Sequence, residues 1–523
     1  TEDMIDLVKN GSTRSAMRAA VSLGKARVSK ASALRALKDM LDHESASARC
    51  SAIYALGRSQ EASAASAVAE RLSDSSSEVQ REACRALGRI GDGAHVEELP
   101  IKDENEYVQL AAIRAIAKLG ESATYQGDLI EIFHQQDSVT VRVAVLEALQ
   151  PLSQNPSVHS VAESAVESEH AQLRCRGVKL LVSMPVEDLQ SYEKTLRARL
   201  KDEAAIVRAE TAPALAKIRA KNNSSLSPVV QLIEDSDAAV RVAAAEALGE
   251  HCTSVEIMME LETLWTDPVR KVRRIASQGM VTAVEKHSDW REELVQAAVD
   301  ATDAPQSIKR REGLWVLGQL KSQAAFPDVL KLIRDPSERK DIREARLTAW
   351  LIGRTAYEPA GQLLTELFTH DDQYLRIHAA KALGVVKPDG AQSQIVKKLN
   401  ATKVIEGEVL FSYQGPERYY AIWALGGMAD DEGLDVLAEL AVQQTPMESL
   451  ENVKLICDIL TEQEYKQAAA IMTTASRQQG RSMARKRRRL LAETVYNLTG
   501  SRKISVSEEE PDYQRFFIHP LNR

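Results

Sequence analysis

Apolar and polar positions follow a helical spacing that recurs along most of the chain. The recurring pattern is an Arg, two residues, an Ala, two residues, and then Ala-Leu-Gly, so its apolar members lie three or four residues apart. That spacing places them in one stripe along a single α-helix. From residue 16 onwards the copies follow one another at a period of about 33.5 residues, which predicts a repeat protein. The clearest copies are residues 49–57, 80–88, 241–249, 310–318, 376–384 and 418–426.

A second apolar pattern precedes the copies, as in residues 62–72, 229–233 and 329–333. Each unit is therefore predicted to contain a first helix and a second helix, of which the second carries the Ala-Leu-Gly pattern. We expect the final Gly of that pattern to cap and end the second helix. Because one unit cannot bury its stripe alone, the units are expected to stack. The sequence predicts an all-α fold, an α-solenoid of about fourteen helix pairs.

The period alone fits several repeat families, including tetratricopeptide and ankyrin repeats. Their T-P-L-H and W-x-x-L-G motifs do not occur in this sequence. Residues 235–249 (DSDAAVRVAAAEALG) and 74–88 (DSSSEVQREACRALG) instead resemble HEAT repeats of the short type found in phycobilisome lyases. The resemblance covers residues 1–440 strongly and residues 441–500 more loosely. It implies a solenoid of HEAT-type units and leaves the activity open.

Two segments depart from the repeat. Residues 404–415 (VIEGEVLFSYQG) lengthen one unit, and their β-branched and aromatic content favours a short hairpin or an ordered loop. Residues 501–523 are polar and acidic and then apolar at Phe516, Phe517 and Ile518, so we expect a tail that docks its apolar end.

Composition narrows the function classes. The net charge of −8 argues against a protein whose whole surface binds nucleic acid. The sequence contains no run of about 18 apolar residues, so no transmembrane helix is predicted. The five cysteines are dispersed and contain no C-x-x-C, so neither a disulfide framework nor a zinc site is predicted. A cytoplasmic location is favoured, although a first residue of Thr1 is compatible with a removed leader.

An Asp ahead of the second helix and an Arg near its start recur with the repeat. Repetition at the fold period favours a structural role over a ligand site. We expect the Asp to cap the helix and the Arg to bridge to the Asp of the neighbouring unit. The pairs are Asp42 and Arg49, Asp137 and Arg142, Asp202 and Arg208, Asp235 and Arg241, Asp267 and Arg273, and Asp371 and Arg376.

Catalytic signatures are missing from the sequence. Deoxyhypusine hydroxylases resemble this repeat and bind two irons through several His-Glu dipeptides, whereas only His43-Glu44 occurs here. No H-E-x-x-H, G-x-S-x-G, G-x-G-x-x-G or P-loop motif is present. We therefore predict a protein that is not an enzyme and that needs no cofactor.

Aromatic and basic residues recur three and seven positions before the motif Gly, where they share a face away from the apolar stripe. One interpretation is that the Trp side chains fill gaps left by the many Ala residues. The other is a groove on the concave side of the solenoid that binds a partner protein. The partner-binding candidates are Arg274, Arg311, Trp315, Arg346, Trp350, Tyr419 and Trp423.

A basic run lies inside the last helix pattern, and it either forms a solvated end of the solenoid or binds an anionic partner. The leading hypothesis for the whole chain is a protein-binding scaffold or adaptor. The alternatives are a solenoid that binds nucleic acid through the Arg and Trp column and the basic helix, and a lyase-like or chaperone-like subunit for a cofactor-bearing protein, which rests on the resemblance alone. The basic run consists of Arg485, Lys486, Arg487, Arg488 and Arg489.

Overall fold

The computed structural model divides the chain into two units of contacting helices, residues 1–257 and 258–523. Side chains are described for all of the described residues apart from 402–411, 475–479, 485 and 488. The described residues are 2–27, 29–324, 326, 329–330, 341–405, 408–411, 415–428, 430–442, 450–479 and 485–499.

Helices fill the first unit, which contains α1 (Glu2–Asn10), α2 (Thr13–Lys25), α3 (Ala31–Asp39), α4 (Ala46–Ser59), α5 (Ala65–Ala69), α6 (Ser77–Ile90), α7 (Glu106–Leu119), α8 (Gln126–Gln135), α9 (Val139–Leu149), α10 (Pro156–Val166), α11 (Ala171–Val182), α12 (Val186–Leu189), α13 (Glu193–Arg199), α14 (Ala205–Lys221), α15 (Ser227–Val230) and α16 (Ala238–His251). Several first helices end in a 3-10 turn, such as Glu70–Ser73 after α5 and Gln231–Glu234 after α15.

The division between the units lies within α17 (Val255–Glu260). The second unit then contains α18 (Arg270–Lys286), α19 (Arg291–Thr302), α20 (Ser307–Gln319), α21 (Ile342–Thr355), α22 (Gly361–Leu367), α23 (Gln373–Val386), α24 (Ala391–Asn400), β1 (Thr402–Ile405), β2 (Glu408–Phe411), α25 (Gly415–Met428), α26 (Asp431–Val442), α27 (Leu450–Glu462), α28 (Gln467–Gln479) and α29 (Arg485–Thr499).

Second helices stack on one another in chain order. In the first unit α4 packs on α6 and α14 packs on α16, and in the second unit α21, α23, α25, α27 and α29 follow one another in the same way. The predicted apolar stripe is the contact surface, since Ala52 and Leu56 of α4 and Ala83 of α6 have no exposed side-chain surface. The predicted fold class, an all-α solenoid, is therefore confirmed.

The motif Gly does not end its helix, which corrects the predicted capping role. Gly57 lies two residues before the end of α4, and a Cβ atom placed on it would lie 2.8 Å from both Cα and Cβ of Ala86. Gly24 meets Ala55 of the next second helix in the same way. Because carbon atoms normally approach to about 3.5–4.0 Å, only Gly permits this backbone contact between units. Other residues occupy the left-handed caps, such as Gln60 after α4 and Gly120 after α7.

The Arg residues of the repeat form ion pairs between successive units. Arg174 donates from Nε and Nη2 to both carboxylate oxygens of Asp202 in the next unit, at 2.7 Å each. Its Nη1 donates to the carbonyls of Ser168 and Glu169 in the turn of its own unit. Arg208 repeats the bidentate pair with Asp235. The predicted bridge to an Asp of the neighbouring unit is confirmed for Arg49 and Arg208. Arg273 and Arg376 pair with Glu312 and Glu417 instead, and no ion pair of Arg142 occurs among the described residues.

The predicted capping role of Asp is wrong at these positions. Asp235 lies two residues before the N-cap of α16, which is Asp237, and its side chain accepts from the N–H of that residue. Its carboxylate therefore orders the turn ahead of the helix.

A two-stranded antiparallel hairpin interrupts the helices in the segment where composition favoured one. β1 and β2 pair Thr402 with Phe411 and Ile405 with Glu408. The sequence-based boundaries at residues 440 and 500 stay predictions, and the tail of residues 501–523 lies outside the described residues.

Candidate functional site

The partner-binding candidates occupy corresponding positions on successive second helices of the second unit. Arg274 of α18 stacks on Trp315 of α20, with the guanidinium carbon 3.9 Å from the ring centroid. Trp315 has no exposed surface, so the expectation that its ring lines an open groove is wrong. Burial also lowers the pKa of the Arg274 guanidinium. The two side chains fill the space between neighbouring helices.

Arg311 and Arg346 form ion pairs with the next unit. Arg311 lies 3.2 Å from Asp341, which is the N-cap residue of α21. Arg346 donates from Nε and Nη2 to the carboxylate of Asp372, the N-cap residue of α23, at 2.9 and 2.5 Å. These guanidinium groups connect successive second helices, and their charge is already matched within the chain.

Two Trp side chains use the space left by a motif Gly of the preceding unit. A Cβ on Gly318 would lie 2.1 Å from Cζ3 of Trp350, and one on Gly384 would lie 2.5 Å from Cζ3 of Trp423. Trp350 is half-buried in this position, whereas Trp423 keeps 38% of its surface exposed. The same Gly position therefore accommodates Ala in some units and an indole edge in others.

Aromatic rings and one unmatched amine surround Trp423. Tyr419 lies one helical turn before it and is half-buried, and its ring meets that of Tyr420 edge to face at 5.2 Å. The Lys381 amine lies 4.0 Å from the centroid of the Tyr420 ring, and burial lowers its pKa to about 8. No charged neighbour contributes to that shift. We call Lys381, Tyr419, Tyr420 and Trp423 the aromatic cluster.

Acidic residues follow the aromatic cluster on the next two second helices. Ile459 of α27 faces Gly426 as Ala424 of α25 faces Gly384, so Lys454 and Asp458 take the positions of Tyr419 and Trp423. Asp458 and Glu493 line a cleft of about 290 Å³ between α27 and α29. Burial, and then the nearby charge of Glu493, raise the pKa of the Asp458 carboxyl, although Lys454 opposes the shift.

One residue of the basic run, Arg487, makes hydrogen bonds within the chain. Arg487 donates from Nε to the carbonyl of Ala441 at 2.9 Å and from Nη2 to that of Leu440 at 3.2 Å. These carbonyls end α26, where a positive charge stabilises the helix. Arg487 is therefore occupied within the chain, which corrects its place among the anion-binding candidates. Lys486 and Arg489 are exposed, and the side chains of Arg485 and Arg488 lie outside the described residues.

The arrangement offers little reactive chemistry. Within the described part of the chain, no three or more His, Cys, Asp or Glu side chains are grouped as a metal site would require. Burial raises the pKa of the Cys84 thiol to about 12 and that of Cys457 to about 11, so both thiols stay protonated and are poor nucleophiles. None of the described helices has the length and apolar character needed to cross a bilayer.

Comparisons with known proteins agree with this architecture. Family models match HEAT repeats at residues 34–101, 66–150, 193–281 and 291–384, and a PBS lyase HEAT-like repeat at residues 417–443. A search of curated proteins gave no significant match.

Solved structures with a similar fold include Kap121p bound to Pho4p, at 13% identity and a TM-score of 0.57, with 95% of this chain and 64% of that chain covered. The karyopherin Kap121p bound to the extreme C-terminus of the protein phosphatase Cdc14p is similar at 12% identity and a TM-score of 0.57, with 95% of this chain and 65% of that chain covered. The Kap95:Nup1 complex is similar at 11% identity and a TM-score of 0.54, with 95% of this chain and 83% of that chain covered. The chain thus spans about two thirds of the Kap121p chain, and at these identities the likeness shows the fold alone. Because the family match covers more than half of the sequence, and the stacked helix pairs agree with it, the chain belongs to the HEAT-repeat family.

Proposed function

We propose that the chain is a non-enzymatic scaffold or adaptor that binds a partner protein through the aromatic cluster. The observation that carries the proposal is the exposure of Trp423. Its ring edge is held against Gly384 while 38% of its surface remains open, so a rigid indole is presented without further ordering. Rigid aromatic residues of this kind are common anchors of protein interfaces because they bury a large area at low entropic cost.

Charge around Trp423 indicates the chemistry of the partner segment. Lys381 has an aromatic neighbour but no carboxylate partner among the described residues, and an acidic side chain of the partner would supply one. In the cleft between α27 and α29, Asp458 and Glu493 suit a basic side chain. The segment that fits best therefore places an apolar or planar group on Trp423, an acidic group towards Lys381 and a basic group towards Asp458.

The comparisons and the charge distribution support a protein rather than a nucleic acid. The similar structures include Kap121p and Kap95 in complex with other proteins, although the low identity gives no specific partner here. Arg311 and Arg346 are paired with carboxylates, and Asp458, on the second helix that follows that of Trp423, would repel a phosphate. The alternative of a lyase-like subunit stays a prediction, supported by the PBS lyase HEAT-like match at residues 417–443.

The test is a capture experiment with matched variants of the full chain. Immobilised wild-type protein, Trp423→Ala and Tyr107→Ala are each exposed to a nuclease-treated extract of the native source, and the retained proteins are identified by mass spectrometry. Tyr107 is the control because it is an exposed aromatic residue, at 64%, in the first unit. We expect a set of proteins that wild type and Tyr107→Ala retain and Trp423→Ala loses.

Binding of the purified partner then gives the magnitude. Loss of an aromatic anchor costs about 2 kcal/mol or more, which is a fall of roughly thirtyfold in affinity. Lys381→Met should weaken binding less than Trp423→Ala and should reduce its salt dependence. Equal retention by all three proteins would overturn the proposal. So would a set of proteins that Trp423→Ala loses only from a parallel extract without nuclease treatment.

A further inference from the structure

Within residues 1–257, the ion pairs that join one helix pair to the next follow one geometry. The Arg lies four residues after the N-cap of its second helix, and the carboxylate lies two residues before the N-cap of the next. That carboxylate also accepts from the backbone N–H of the N-cap residue, at 2.9 to 3.0 Å. The pairs with this geometry are Arg49 with Asp74, Arg174 with Asp202, and Arg208 with Asp235.

One position in this series has an Arg and no carboxylate. Arg142 lies four residues after Ser138, the N-cap of α9, so it occupies the Arg position. The residue two before His170, the N-cap of α11, is Ser168. The Ser168 hydroxyl accepts from the N–H of His170 at 3.2 Å, as the carboxylates of the series do. Ser168 therefore takes the place of the carboxylate in every respect except its charge.

Arg142 is prepared for an anion that the chain does not supply. Its Nε is buried and has no hydrogen-bond partner, and no ion pair of Arg142 occurs among the described residues. The Phe133 ring supports the guanidinium at 4.6 Å. Arg142, Ser168 and His170 line an open cleft of about 600 Å³, together with Glu163, Glu167 and Glu169. The Arg142 side chain, held in place by an aromatic ring, thus lies at the edge of a cleft that is open to solvent.

We propose that Ser168 is a phosphorylation site and that its phosphate completes the ion pair with Arg142. A protein kinase transfers the γ-phosphoryl group of a nucleoside triphosphate to Ser168 Oγ. The Oγ–P bond forms, the bond between the γ-phosphorus and its bridging oxygen breaks, and the nucleoside diphosphate and the hydroxyl proton leave. The product carries about two negative charges and three acceptor oxygens at a position where the neighbouring units hold an Asp.

The surroundings tolerate this charge. The N-terminus of α11 stabilises a nearby anion through its unpaired N–H groups. Glu169 follows Ser168, but Glu203 follows Asp202 in the same way, and Arg174 contacts both of those carboxylates. An acidic neighbour is therefore compatible with the ion pair. Glu163 and Glu167 of the same cleft are exposed, so water and salt screen their charge. Ser168 is also half-exposed in the short turn between α10 and α11.

The experiment installs phosphoserine at position 168 of the full chain by genetic code expansion and compares it with the unmodified protein by hydrogen exchange. We expect amide exchange in α9 and in the first turn of α11 to slow about tenfold or more, as a charged hydrogen-bonded pair would cause. Phosphoserine at position 157, an exposed residue in the first turn of α10, controls for added charge and should leave these amides unchanged.

Three further results decide between explanations. Arg142→Gln should abolish the protection by phosphoserine 168, and protection that survives this substitution would overturn the proposal. Protection of the same amides in the unmodified protein by millimolar inorganic phosphate would identify a site for a free oxyanion instead. Mass spectrometry of the chain from its native source, with phosphatases inhibited, should find phosphate on Ser168, and its absence would overturn the assignment.

Discussion

Replacing Gly57 by Ala tests whether the motif Gly serves the contact between units. Ala is the better helix former by about 1 kcal/mol, so a purely local argument predicts stabilisation within α4. The structure predicts the opposite, because the added methyl group would lie 2.8 Å from the Cα and Cβ of Ala86. Ordinary carbon contacts are about 3.5–4.0 Å, so α4 and α6 would have to separate by roughly 1 Å.

The magnitude follows from opposing terms. Overpacking of a tight contact costs about 1–3 kcal/mol, and the gain in helix propensity offsets up to about 1 kcal/mol of it. We therefore expect Gly57→Ala to lower the free energy of unfolding by about 1–2 kcal/mol. Gly127 of α8 is the matched control, since nothing lies within 4 Å of a Cβ placed on it. Gly127→Ala should raise stability by about 0.5–1 kcal/mol.

The assay has to be local because repeat arrays need not unfold in a single step. Hydrogen exchange under native conditions gives the opening free energies of α4 and α6 for one variant and of α8 for the other. Opposite signs for the same substitution would support the contact role. A Gly57→Ala protein as stable as wild type, or more stable, would refute it and return the Gly to a cap or a neutral position.

Three other expectations can be measured on the same preparations. Arg174→Ala removes one partner of a buried ion pair and should destabilise the fold by about 3–5 kcal/mol, whereas Arg142→Ala should cost about 1 kcal/mol or less. Denaturation experiments measure both costs, and equal costs would contradict the ion pair of Arg174 with Asp202. Burial tends to raise the pKa of the Asp202 carboxyl, but hydrogen bonds from Arg174, a backbone N–H and Arg199 outweigh it and keep that pKa below its usual value. Its stabilisation is therefore complete above about pH 4 and lost as pH falls through the lowered pKa, so Asp202→Asn should reduce stability near neutrality and weaken its loss on acidification. Trp315→Ala should cost about 3–5 kcal/mol of stability, while Trp423→Ala should cost clearly less because its indole is only partly buried; similar melting of the two variants would contradict their assigned positions.

Local patterns determined the helices and their pairing. Ala and Leu at spacings of three and four predict one buried stripe whatever surrounds it, because the spacing alone decides which side chains share a helix face. The period and the Arg residues at fixed offsets also predicted stacked units joined by charge pairs. The pattern could not show that Gly57 is a contact, since a Gly near a helix end is compatible with a cap and with close packing.

Exposure of the candidate site was decided by the neighbouring helices. Trp315 and Trp423 occupy the same position in their repeats, yet the first is fully buried and the second is 38% exposed. Trp315 of α20 is covered by Arg274 of the preceding second helix, α18, whose long side chain reaches over the ring. At the corresponding place before Trp423 the sequence has Ile377, which is too short to cover an indole. A residue's repeat position follows from sequence, but its cover comes from another unit and is settled only when the units stack.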